Sequence, residues 1–128
     1  MITRKILINP QTASRPRVTR KGTFYPKAYT EFKRDFPRLL GARKLLSGAL
    51  MMRISFTIPI PKSWTKKKKT EMMGKYHTQT PDIDNLEKAV MDAMNGYFYK
   101  DDSQIAVMMS YKRWGEVGSI EFQIEEIE

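Results

Sequence analysis

The stretch Pro81-Asp82-Ile83-Asp84-Asn85-Leu86-Glu87-Lys88-Ala89-Val90-Met91-Asp92-Ala93-Met94-Asn95-Gly96 organises the rest of the chain. Leu86, Ala89, Val90, Ala93 and Met94 recur at helical spacing, so a core-facing helix is predicted from about Asp84 to Asn95, with Gly96 as its end signal. Asp84, Lys88 and Asp92 recur every four residues and form a polar stripe opposite that apolar face. Pro81 biases Thr80 toward an extended conformation. If Asp82 to Asp84 are extended too, their carboxylates share one side, because side chains alternate along a strand. That convergence requires the helix to begin at or after Asp84.

Upstream, Met52, Ile54, Phe56 and Ile58 alternate with Arg53, Ser55 and Thr57, the period of a half-buried strand that Pro59 and Pro61 stop. Arg4 to Asn9 reads as a short first strand, and residues 11–26 as a basic, turn-rich loop. Pro26 opens a helix in which Tyr29, Phe32, Phe36 and Leu39 share a face and which Pro37 should kink or end. Residues 62–80, with Lys66-Lys67-Lys68-Lys69, read as a largely mobile polar connection. Downstream, Ile105, Val107, Met109 and Tyr111 mark one strand and Ile120, Phe122 and Ile124 another, with Gly115-Glu116-Val117-Gly118 as a hairpin turn. The order is β-α-β-α-β-β: one α+β (mixed α/β) domain over residues 1–128, with a small mixed sheet and two main helices.

The 128 residues suffice for a single core. No cysteine is present, which excludes disulfides and thiolate zinc sites. Ile6-Leu7-Ile8 is too short for a signal-peptide core and no apolar run reaches membrane-spanning length, so a soluble, cytoplasmic protein is expected. The formal net charge is +9, unevenly spread: residues 1–80 hold 19 Lys/Arg against 3 Asp/Glu, and residues 81–128 hold 4 against 11. A basic footprint beside an acidic focus suits a metal-dependent enzyme acting on nucleic acid.

Asp82 and Asp84, with Asp101-Asp102 leading the next strand, are the candidate ligands for a hard divalent cation, which relieves repulsion between crowded carboxylates. Lys88, one turn beyond Asp84, can reach a phosphate bound there. A purely structural alternative is open: Asp84 and Glu87 resemble a capping box, Asp82 and Asp84 suit the positive helix end, and Asp84 and Lys88 suit an i,i+4 ion pair. Arg15, Arg17, Arg20, Lys21 and Lys66, Lys67, Lys68 and Lys69 are candidate phosphate contacts, or a solvated surface. Trp64 and Tyr25 could stack on unpaired bases or be buried. His77, the only histidine, reads as a loop residue or a phosphate contact, and the nine methionines as adaptable core packing.

These residues resemble the RusA-type Holliday junction resolvases. The likeness rests on His77-Thr78-Gln79-Thr80-Pro81-Asp82-Ile83-Asp84-Asn85-Leu86, on Lys88 to Gly96, and on Lys100-Asp101-Asp102-Ser103-Gln104-Ile105. The Arg15-Pro16-Arg17 loop and the basic connection before the motif resemble members carried by phages and prophages. The resemblance implies that Asp82, Asp84 and Asp102 bind Mg²⁺ and that Lys88 is the catalytic lysine, with Asp101 and Asp92 in support. It also implies a homodimer that nicks two opposed strands of a four-way DNA junction symmetrically, in recombination and repair within a bacterial cell, and a phage or prophage origin. A restriction-type PD-(D/E)xK nuclease is disfavoured, because no acidic residue two before a lysine follows on a downstream strand. The rival from another class is a non-catalytic DNA- or RNA-binding module whose acidic cluster caps a helix.

Overall fold

A computed structural model describes residues 1–13, 17–24, 26–41 and 44–128. In chain order the elements are β1 (Ile2–Ile6), β2 (Arg17–Thr19), β3 (Gly22–Phe24), α1 (Lys27–Leu40), β4 (Leu50–Pro59), α2 (Lys66–Met72), α3 (Ile83–Met94), β5 (Ile105–Gly115) and β6 (Ser119–Glu126). One 3-10 turn, Asp102–Gln104, leads into β5. Four strands form the main sheet in the order β1-β6-β4-β5, and β2 with β3 form a separate two-stranded sheet. The expected α+β class with a mixed sheet agrees with this arrangement.

Alternation builds the core. Leu50, Met52, Ile54 and Phe56 of β4 and Ile120, Phe122 and Ile124 of β6 are buried in one cluster with Tyr29, Phe32 and Phe36 of α1 and Leu86, Ala89, Val90, Ala93 and Met94 of α3. Phe122 sits near the middle, its ring 5.5 Å from that of Phe98 and 6.4 Å from that of Phe36. The other row of the sheet, including Arg53, Val107, Met109 and Glu121, is exposed. The sheet therefore carries α1 and α3 on the same face.

Several sequence expectations change. β5 and β6 are not a hairpin: β4 lies between them, pairing parallel with β5 and antiparallel with β6. The residues 115–118 turn is real, but it spans a strand instead of joining neighbours. Val107 and Met109 face out, whereas Ser110, Lys112 and Trp114 face α3 and the segment before it; a register shift between Leu50 and Met51 precedes this stretch. α1 runs through Pro37, and Leu40, not Leu39, completes its buried face. The first strand is Ile2–Ile6, earlier than the expected Arg4 to Asn9.

Two stretches expected to be irregular are regular. Residues 17–24 form a hairpin with exposed Arg20 and Lys21 at its tip, where Gly22 has φ 133°, a value that favours glycine. The lysine run forms α2, because Thr65 serves as its N-cap and its hydroxyl accepts from the Lys68 amide at 3.2 Å. Among the described residues no helix is long and apolar enough to cross a membrane.

Candidate active site

The acidic site is assembled by α3 and β5, which run side by side in opposite directions. Ser110 donates to Glu87 (2.9 Å), near the middle of α3, and Lys112 reaches the segment that precedes the helix. Asp102, at the other end of β5, stands level with the second half of α3. α3 begins at Ile83 with Asp82 as its extended N-cap residue, so Asp84 belongs to the first helical turn. The expected strand-like convergence of Asp82 and Asp84 therefore does not arise from three consecutive extended residues. The Thr80–Pro81 peptide bond before them is cis.

Asp82 and Asp84 do sit at the positive end of α3, but the hydrogen-bonded and ion-paired roles open to them are not taken up. Asp82 makes no side-chain capping hydrogen bond, and Glu87 accepts from Ser110 instead of closing a capping box. Asp84 and Lys88 form no ion pair. Among the described residues the side chains of Asp82, Asp84, Lys88 and Asp102 have no hydrogen-bond or ion-pair partner.

Asp101 and Asp102 part company. Asp101 is the N-cap of the 3-10 turn: its carboxylate accepts from the Ser103 amide, and Gln104 returns a carboxamide oxygen to the Asp101 amide. The Ser103 bond holds the Asp101 carboxyl below its ordinary range. The Gln104 amide nitrogen donates to the carbonyls of Leu46 (3.3 Å) and Gly48 (3.1 Å), which ties this turn to the lead-in of β4. Asp102 projects, half-buried, toward α3. Burial, then Asp101 and Asp92, push its carboxyl above the usual range, and Lys88 opposes them. Asp92 accepts from the Tyr29 hydroxyl at 3.0 Å. Tyr99, fully buried, donates to the Met91 carbonyl (2.8 Å), and its own ionisation is pushed far up by burial and by Asp102.

The structure thus brings Asp102 together with Lys88 and Asp92, and leaves Asp82 and Asp84 at the start of the same helix. From Asp84 to Asp92 the helical rise is about 12 Å. Among the described residues, no group of three or more His, Asp or Glu side chains stands close enough to hold a metal ion. The donor chemistry nevertheless fits a hard divalent cation: uncommitted carboxylate oxygens, with the Asp102 carboxyl raised by burial and then by the neighbouring Asp101 and Asp92.

Of the candidate phosphate contacts, Arg20 and Lys21 are exposed at the hairpin tip and Lys66, Lys67 and Lys68 along α2, with Lys69 half-buried. Arg15 and Tyr25, and the side chain of Arg17, lie outside the described residues. The Ala13 amide donates to the Asn85 carbonyl, so the chain that leads to the basic hairpin departs from the first turn of α3. Trp64 packs on Trp114 (4.8 Å) with the Lys68 ammonium 4.2 Å from its ring.

His77 is not an ordinary loop residue: it is 4% exposed, lies 4.3 Å from the Trp114 ring, and its Nδ1 is buried without a partner. Burial, then Lys112, hold its pKa below the usual histidine value. The unfolded chain therefore takes up a proton that the folded one resists. Stability is complete above about pH 6.5 and declines as pH falls below it. Urea midpoints should drop between about pH 7 and 5, and His77→Phe should flatten that decline; an unchanged slope in the variant would refute the assignment.

A family model described as endodeoxyribonuclease RusA matches residues 8–125. YqaN of Bacillus subtilis (strain 168), an uncharacterized protein, is 36% identical over 87 residues, which cover 65% of this chain and 61% of that protein. The match thus spans about three-fifths of the length of that relative. Nucleases of the matched kind are generally dependent on divalent metal. With nearly its whole length matched, the chain belongs to the endodeoxyribonuclease RusA family.

Proposed function

We propose that this protein is a Mg²⁺-dependent, structure-specific endodeoxyribonuclease that acts as a homodimer and resolves four-way DNA junctions by paired symmetric nicks. Such an activity serves recombination and repair in the cytoplasm of a bacterial cell, in a gene of phage or prophage origin. The observation that carries the reading is that Asp82 and Asp84 at the start of α3, and Asp102 with Lys88 further along it, are all left uncommitted in a chain of the RusA family. A helix-capping module would use Asp82 as a hydrogen-bonding cap, and it does not.

Asp82, Asp84 and Asp102 would hold one or two Mg²⁺ ions. When bound, the metal lowers the pKa of a coordinated water and offsets charge on the phosphoryl oxygens. Lys88 stabilises the negative phosphate in the transition state, since its ammonium has no competing carboxylate partner. The exposed cations of the hairpin and of α2 hold the DNA backbone without reading bases. One acidic site per chain calls for two chains to make two cuts, and a two-fold dimer matches a two-fold substrate.

Labelled four-way junctions and linear duplex of the same sequence, incubated with Mg²⁺ or with EDTA, test this directly. Paired nicks at symmetric positions are expected on the junction with Mg²⁺ alone, with linear duplex largely uncut. Tight binding that leaves every strand intact under both conditions would favour the binding module.

A further inference from the structure

We propose that Lys112 is a positioning residue that sets the place of Asp82 by clamping the two backbone carbonyls that precede it. The inference rests on the nuclease reading above and concerns a residue outside the acidic motif.

The Lys112 ammonium donates to the carbonyl of Gln79 and to that of Pro81, both at 2.6 Å. Pro81 is the residue immediately before Asp82. Residues 78–82 belong to no helix or strand, so these carbonyls have no ladder to satisfy them. A lysine suits the task, because its ammonium carries three donors on a compact centre and charge-assisted bonds are short and strong. Among the described residues no carboxylate pairs with Lys112, so its charge is met by these two peptide dipoles.

The clamp belongs to a larger alignment. The inward row of β5 reaches successive parts of the segment that leads to the site: Trp114 packs on His77, Lys112 holds residues 79 and 81, and Ser110 donates to Glu87. The backbone adds to it. Gly74 donates to Trp114, Trp114 to Lys75 and His77 to Lys112, pairing residues 74–77 with the end of β5. Asp102 stands at the head of the same strand. One strand therefore fixes both acidic stretches, and Lys112 is its contact nearest to Asp82.

The test uses Lys112→Met, which keeps the length of the stem, and Lys112→Arg, which keeps a cationic donor. Lys112→Met should lower single-turnover junction cleavage by about 100-fold, the scale set by a 1 Å misplacement of reacting groups. It should also raise the Mg²⁺ concentration needed for half-maximal rate, while junction binding in EDTA changes less than about twofold. Lys112→Arg should recover most of the rate. Amide hydrogen exchange should accelerate in Lys112→Met over residues 78–85 more than in β4 and β6. Wild-type cleavage by Lys112→Met would overturn the proposal, as would exchange no faster over 78–85 than elsewhere. If wild-type protein cuts no junction, the nuclease reading fails on its own, and the exchange pattern still decides whether the clamp exists.

Discussion

Asp82→Asn abolishes strand cleavage, by more than about 100-fold, and leaves junction binding intact or slightly tighter. Metal sites lose up to about 100-fold when only a supporting partner is removed, and Asp82 is proposed as a direct ligand. The substitution is close to silent for folding. Asn serves at a helix N-cap about as well as Asp, the side chain is exposed, and it makes no capping bond to lose. Removing one negative charge from the proposed DNA-facing site also weakens no phosphate contact. Gel shift of a labelled junction in EDTA, alongside cleavage in Mg²⁺, separates the outcomes. Loss of binding together with cleavage would mean that Asp82 holds the fold and not the metal, and undiminished cleavage would remove it from the site.

Phe122→Ala costs about 3–5 kcal/mol, the range for truncating a fully buried aromatic ring. The ring is fully buried, on a strand with neighbours on both sides, and it touches aromatic rings from two other parts of the molecule. Against a total of roughly 5–15 kcal/mol for a typical domain, such a loss leaves little reserve. Val107→Ala is the matched control: 48% exposed, it should change stability by no more than about 0.5 kcal/mol. Urea titrations give both values, with the midpoint moving and the slope constant. Equal costs at the two positions would show that the outer row of the sheet is covered in solution.

Much of this fold was legible because apolar spacing is a strong signal in long elements. α3 lies within one residue of its expected limits, and all five of its predicted core residues are buried. β4 and β6 keep the expected inward rows. The order of strands was not legible, since a short turn between two strands looks the same whether or not a third lies between them. Nor was the facing of β5, which depends on a register shift in the pairing with β4. α2 had a local signal in Thr65 followed by four lysines, masked by the expectation that like charges stay solvated.

At the site, residue identity marked Asp82, Asp84, Lys88 and Asp102, and the fold leaves these side chains without hydrogen-bond or ion-pair partners. The division of labour between Asp101 and Asp102 was not available from sequence, because it depends on which of two neighbouring carboxylates turns back to cap. Lys112 and the Tyr29–Asp92 bond were equally hidden. Both join residues distant along the chain, through contacts that only the folded pairing creates.

β6 lies between β1 and β4, and ribosomal synthesis delivers it after the three other strands of the sheet. Until then the first strand has no hydrogen-bonded neighbour in the main sheet, and the apolar row of β4 is flanked on one side at most. A growing polypeptide therefore carries sticky, half-finished layers through most of translation and closes them in one late, long-range step. Non-local pairings of this kind form slowly and leave unpaired strand edges exposed in the meantime.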